Sequence, residues 1–195
     1  MNRTLTLLRR IRFLTWFFII GIFLSGVTAI PLITEVNWLV EITGASQLSP
    51  SAQPAWAAWL LKVQNSLNDT AIKYPFLFYG TDWLAFGHFV IALAFVGGLI
   101  DPVRNRWLFT FGMAACVMVI PFALIFGGIR GIPWWWRCVD CSFGVFGFVP
   151  VWLCRKWAVE VERKRGFEDE DPPPLKLRPA GKEADEGRLA KEAAR

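Results

Sequence analysis

"DWLAFGHFVIALAFVGGLIDPVRNRWLFTFGMAACVMVIPFALIFGG", residues 82–128, decides the fold. Two apolar runs, 82–100 and 107–128, flank a polar break at 101–106. A helix needs about 20 mainly apolar residues to cross the hydrocarbon layer of a membrane, and each run supplies that length. In the break, Asp101 stands before Pro102, and the residue before a proline is driven away from helical backbone. Arg104 and Arg106 then hold the turn in water. The stretch therefore predicts two antiparallel membrane spans joined by a tight turn.

Working outward, two further runs qualify. "FLTWFFIIGIFLSGVTAIPLI", 13–33, forms the first span, and "VDCSFGVFGFVPVWLC", 139–154, the fourth, with Trp134 to Trp136 extending it outward. The predicted class is an all-α integral membrane protein, a bundle of four transmembrane helices. The basic segment 1–12 followed by an apolar core and Val27-Thr28-Ala29 also fits a cleavable signal peptide. The apolar run continues past that point, which favours a retained span.

Between spans one and two lies a long outer loop, 34–81. Within it, 53–68 reads as an amphipathic helix that lies in the interface or lids the bundle. Ser51 is a candidate cap and Pro54 suits the first turn. Trp56, Leu60, Val63 and Leu67 recur at helical spacing, with Gln64, Asn65 and Asn68 elsewhere around the helix. "ITEVNWLVEIT", after Pro31, reads as a second short interfacial helix. Thr81 or Asp82 is the expected cap of the second span. Residues 129–138 form a second, shorter outer loop. The tail, 155–195, alternates in charge, contains a triple proline and has little to bury, so it reads as disordered.

Composition agrees. The chain has 195 residues, 54% hydrophobic, against about 45–50% for soluble domains. Only 19% are charged, and most of those lie in the first 12 and the last 41 residues. The net charge of +5 comes from Lys and Arg flanking the apolar runs, not from one basic patch interleaved with aromatics. That pattern sets membrane orientation and excludes nucleic acid as a partner. With the N-terminus inside, eleven Lys and Arg near the span ends face the cytosol and four face outward: Lys62, Lys73, Arg130 and Arg137. Both termini are therefore expected in the cytosol.

The ionisable groups inside or beside the spans are Asp82, His88, Arg137 and Asp140, with Arg130 close by. All five lie toward the outer face in this topology, and intramembrane charges are functional candidates by default. Asp82 and His88 are six residues apart, so they do not share a helical face. Arg137 and Asp140 are three apart and can pair, which would anchor the start of the fourth span. Gly144 and Gly147 permit close approach of a neighbour, with the second span as the candidate. One reading is a satisfied polar network that fixes register. The other is a ligand site in which Arg130 and Arg137 contact an anionic group and Asp82, Asp140 and His88 act as acid or hydrogen-bond partners.

Cys138 and Cys141 form a CxxC at the start of the fourth span. On an oxidising face, with a helix N-terminus and Arg137 nearby, they are a candidate redox pair. The vitamin K epoxide reductase family places a CxxC similarly, but its partner cysteines lie in the first outer loop, where this chain has none. No metal site and no cofactor motif are present.

The run "GTDWLAFGHFVIALAFVGGLIDPVRNRW" followed by "RGIPWWWRCVDCSFGVFGFVPVW" resembles an uncharacterised family of small bacterial four-span inner-membrane proteins, over about residues 74–154. The resemblance implies a lineage and no activity. A fold-level similarity extends to VanZ-like proteins, in which an Asp and a His open the second span and an Arg, an Asp and a Gly open the fourth. Asp82, His88, Arg137, Asp140 and Gly147 would take those positions. The chain departs from that pattern in three ways. Its Asp-to-His spacing is longer, Gly144 stands where an Asn is usual, and the Glu near the end of the third span is absent.

The expected function is a non-enzymatic membrane component or small-ligand binder with a polar site at its outer face. The alternatives are an envelope enzyme, either thiol-redox through Cys138 and Cys141 or a lipid-linked transferase, and a structural subunit of a larger membrane complex. The expected partners are the lipid bilayer, anionic headgroups near Arg163 to Arg165, and an envelope protein.

Overall fold

The computed structural model describes residues 3–49 and 53–165. Among them six α-helices follow in order: α1 (Arg3–Ala29), α2 (Leu32–Thr43), α3 (Ala55–Lys73), α4 (Tyr79–Ile100), α5 (Arg106–Ile129) and α6 (Trp134–Arg165). No strand occurs among the described residues. Four helices are long and apolar enough to cross a membrane: α1, α4 with the turn before it, α5 and α6. The chain divides into two units, Met1–Val161 and Glu162–Arg195, and the packing below belongs to the first.

Prolines set most helix boundaries. α1 starts at Arg3, inside the segment read as a basic terminus, and stops at Ala29, short of the expected 33. Pro31 breaks the run, and its carbonyl accepts from Glu35 N at 3.0 Å to start α2. A short 3-10 turn, Pro75–Phe78, leads into α4, which starts at Tyr79. The cap expected at Thr81 or Asp82 is therefore not made. Thr81 lies inside the helix, and its hydroxyl donates back to Phe78 O at 2.7 Å. α6 starts at Trp134, just after Pro133, whose carbonyl accepts from Trp136 N and Arg137 N at 3.0 and 3.1 Å. It thus begins more than a turn before the expected 139 and runs on to Arg165, through the first part of the predicted tail. Ser51, read as a cap, and residues 166–195, read as disordered, lie outside the described residues.

One buried cluster draws on all four long helices: Ile11 and Ile19 of α1, Ala92 and Phe95 of α4, Leu108 and Phe109 of α5, and Val151, Cys154 and Ala158 of α6. Phe95 lies at its centre, 4.8 Å from the Phe18 ring and 6.5 Å from Phe109 between centroids. Thr15, only 1% exposed, is the buried polar residue of this core. Its hydroxyl donates to Ile11 O at 2.8 Å, and the Cys154 thiol reaches the same carbonyl at 3.6 Å. Sharing one carbonyl satisfies both groups without water.

Contact pairs give the register. α1 meets α4 with Gly26 against Ala85 and His88, and with Phe18 against Phe95. It meets α6 with Ile11 against Cys154 and Phe18 against Gly147. α5 meets α4 at Gly112 and Phe95, and meets α6 at Cys116 and Gly144. In each pair the numbers rise on one helix as they fall on the other, so neighbours run antiparallel. Small residues set the closest approaches. A Cβ on Gly144 would lie 2.5 Å from the Cys116 carbonyl oxygen, and one on Gly26 would lie 2.9 Å from His88 Cβ. Such backbone proximity maximises dispersion contact where hydrophobic burial alone does not drive helices together. The partner of Gly144 is thus α5, not the second span expected from the sequence.

Two ends result. At the basic end, α4 hands over to α5. Asp101 Oδ1 accepts from Val103 N at 3.1 Å and Arg104 N at 3.0 Å. Asn105 Nδ2 donates to Gly97 O and Asp101 O, both at 3.0 Å, and Arg12 Nε donates to Leu99 O at 3.2 Å. The last carbonyls of α4, which have no partner within the helix, are satisfied this way. At the loop end, α1 and α5 stop while α4 and α6 start. There α2 and α3 pack on each other through Val40, Ala45, Ala57 and Leu60. Asn37 Oδ1 accepts from Gln64 Nε2 at 3.0 Å and Asn68 Nδ2 at 3.3 Å. The polar side of α3 therefore faces α2 in part.

Candidate functional site

The five candidate side chains fall into two groups on different helix pairs. Asp82, in the first turn of α4, is exposed. A carboxylate there complements the positive helix end. His88, half-buried a little deeper on α4, has its Cβ beside Gly26 of α1. Its Nδ1 lies 2.8 Å from Leu84 O. A carbonyl only accepts, so Nδ1 bears the hydrogen in this contact and the lone pair of a neutral ring sits on Nε2.

The second group belongs to α5 and α6. Arg130 follows α5 directly, with its amide bonded to Phe126 O at 2.9 Å and its side chain exposed. Arg137, in the first turn of α6, turns back over the end of α5. Its Nη1 donates to Leu124 O at 3.4 Å. Its Cγ and Cδ lie over Gly127, where an added Cβ would be 2.7 and 2.6 Å away, and Nη1 lies over Gly128. The carbonyl end of a helix carries partial negative charge, so a guanidinium laid across it is favourable. The two glycines are what let the arginine stem lie flat there. Arg137 Nε is buried without a partner.

The expected Arg137–Asp140 ion pair is not formed. The described ion pairs are Arg3–Glu160 at 3.2 Å and Lys73–Asp69 at 3.7 Å. Arg137 reaches α5 while Asp140, one turn on, stays half-buried with no hydrogen-bond or ionic partner among the described residues. No hydrogen bond or ion pair joins any two of Asp82, His88, Arg130, Arg137 and Asp140. Arg137 is drawn onto the end of α5, Arg130 lies exposed past that end, and Asp82 and His88, six residues apart on α4, do not share a face.

Cys138 is exposed and Cys141 is half-buried, and both are free thiols. Cys141 Sγ points at Ile120 O of α5, 3.8 Å away. Because α6 begins at Trp134, Cys138 sits past its first turn, where the helix-end field has largely faded. No group of three His, Cys, Asp or Glu side chains is placed to hold a metal among the described residues.

Several working polar contacts left no readable signal in the chain. The Asn37 clasp links positions far apart in sequence, and so does Arg155 Nε to Thr110 Oγ1 at 2.9 Å. Arg12 stood out only as one basic residue among several, whereas in the structure it holds the end of α4. No family model, curated protein or solved structure matches this chain.

Proposed function

We propose that this chain is a multi-pass protein of the bacterial cytoplasmic membrane, with four spans and both termini in the cytosol. In this reading it is a non-enzymatic membrane component whose outer end offers a polar rim to a small ligand or an envelope partner. The observation behind it is the apolar outer surface of the four long helices. Phe13 is 71% exposed, Leu93 71%, Phe122 64% and Phe146 75%, one from each helix. A soluble monomer rarely shows a contiguous apolar patch beyond a few hundred Å². A lipid surround removes that cost for every one of these side chains. The Lys and Arg imbalance then points the Arg12 end toward the cytosol.

Asp82, Arg130 and Asp140, with Nε2 of His88, remain available to a ligand in this reading, while Arg137 serves the α5–α6 junction. The VanZ-like resemblance would gather Asp82, His88, Arg137 and Asp140 round one site, whereas no hydrogen bond or ion pair joins any two of them.

Alkaline carbonate extraction should leave the chain in the membrane pellet, and release into the soluble fraction would end the multi-pass reading. Alkaline phosphatase inserted after Lys73 should be active, and a fluorescent protein fused at the C-terminus should mature. The opposite pattern would invert the topology and move the polar rim to the cytosol. Loss of function in Asp82→Asn or Asp140→Asn at normal abundance supports the contact role of the rim. Full function in the combined variant removes it.

A further inference from the structure

We infer that the groove between α1 and α6 at the basic end binds one anionic phospholipid, with the headgroup phosphate held by Arg9 and Arg10. The inference rests on the membrane reading and concerns the opposite end from the polar rim. The groove, of about 480 Å³, is lined by Arg9, Arg10, Phe13 and Leu14 of α1 and by Leu153 and Trp157 of α6. That is within the size of small-ligand sites, about 300–1,000 Å³.

Its chemistry is graded along the helix axis. On α1, Arg9 and Arg10 are each followed four residues later by an apolar side chain, Phe13 and Leu14, so cations sit above apolar side chains on one face. On α6, Trp157 stands one turn above Leu153. The two helices are tied beyond the polar end of the groove by Arg3 to Glu160 at 3.2 Å, and alongside the groove by Cys154 to Ile11 O at 3.6 Å. These two contacts fix the spacing of the helices along the groove.

The arginines of α1 are not equivalent. Arg3 is paired with Glu160 and Arg12 is bonded to Leu99 O. Arg9 and Arg10 are exposed and have no hydrogen bond or ion pair among the described residues. Arg10 lies 6.0 Å from the Trp157 ring centroid, which positions its guanidinium at the rim. No acidic side chain lines the groove.

Two neighbouring guanidinium groups match the oxygens of a phosphate diester. The apolar floor matches an acyl chain and offers a water-soluble anion no polar partner. A headgroup with net negative charge meets the two cations without bringing a positive group against them, whereas a zwitterionic one does not. The occupant is therefore an anionic glycerophospholipid, abundant in the leaflet that this end would face.

Native mass spectrometry on the full-length chain in detergent, titrated with phosphatidylglycerol and with phosphatidylcholine of the same acyl chains, tests the site. Phosphatidylglycerol should bind at least about tenfold more tightly. Arg9→Gln/Arg10→Gln should weaken it about 30-fold, about fivefold per arginine. Arg9→Lys/Arg10→Lys should keep most of the preference, which separates charge from misfolding. Arg163→Gln/Lys164→Gln/Arg165→Gln should leave it unchanged. Equal binding of the two lipids overturns the inference, as does retention in the double Gln variant or loss in the tail variant. Sodium phosphate that displaces the lipid at concentrations where chloride does not would make this a phosphate site instead. A chain retained after carbonate extraction but lacking lipid preference refutes the groove alone, whereas an extractable chain refutes the membrane reading beneath it.

Discussion

The two ends of the helical core treat their polar side chains in opposite ways. At the basic end, Asp101, Asn105 and Arg12 spend their hydrogen bonds on backbone, closing the α4–α5 turn and the last carbonyls of α4. At the loop end, Asp82, Arg130 and Asp140 close nothing, and Arg137 alone among the candidates reaches a carbonyl of another helix. Backbone proximity at Gly26 holds α1 to α4 there, and Gly144 holds α6 to α5 further into the bundle. A charge at the end of an apolar helix is therefore not one kind of residue. Its role depends on whether an orphaned carbonyl or amide lies within reach.

Substitutions can break or sharpen this contrast. The largest effect belongs to Gly144→Val, whose added carbons meet backbone that cannot swing aside. It should cost about 3 kcal/mol, or abolish the folded chain, read as the melting temperature in detergent. Next comes Asp101→Ala/Asn105→Ala at the basic end. It removes four hydrogen bonds to backbone and should cost about 2 kcal/mol in the same assay. Arg137→Ala should cost about 1 kcal/mol, through the lost contact with the end of α5 and the lost packing of its stem. Smallest are Asp82→Asn, Arg130→Gln and Asp140→Asn, each within about 0.5 kcal/mol. Should any of these three destabilise as much as the Asp101 variant, the ends are alike after all. Should they leave stability untouched and abolish function, the contrast becomes one between a structural end and a working end.

The four long helices and the Asp-Pro turn were legible because length and apolarity suffice to identify them. The start of α6 was also written in the chain, since Pro133 precedes it, but the apolar run drew attention to residue 139 instead. The order of packing was not legible. Each long helix is apolar on most faces, so no stripe marks which side meets a neighbour, and Gly144 offers its gap to any partner. The site suffered for that reason. Placing α4 beside α6 would have joined His88 to Asp140, and only the three-dimensional register separates them. Arg137 and Asp140 have the correct spacing to pair. Spacing gives no hint that Gly127 and Gly128 make a flatter bed for the arginine on α5.

The hold of the Ile11 carbonyl on Cys154 has a practical corollary. Cys154 is 1% exposed and its sulfur is held against α1, whereas Cys138 lies open on the same helix. A maleimide should modify Cys138 at once and Cys154 only when α1 and α6 part. With Cys116 and Cys141 replaced by Ala, the ratio of the two adducts times the separation of those helices, so the protein carries its own clock for core opening, with a built-in zero.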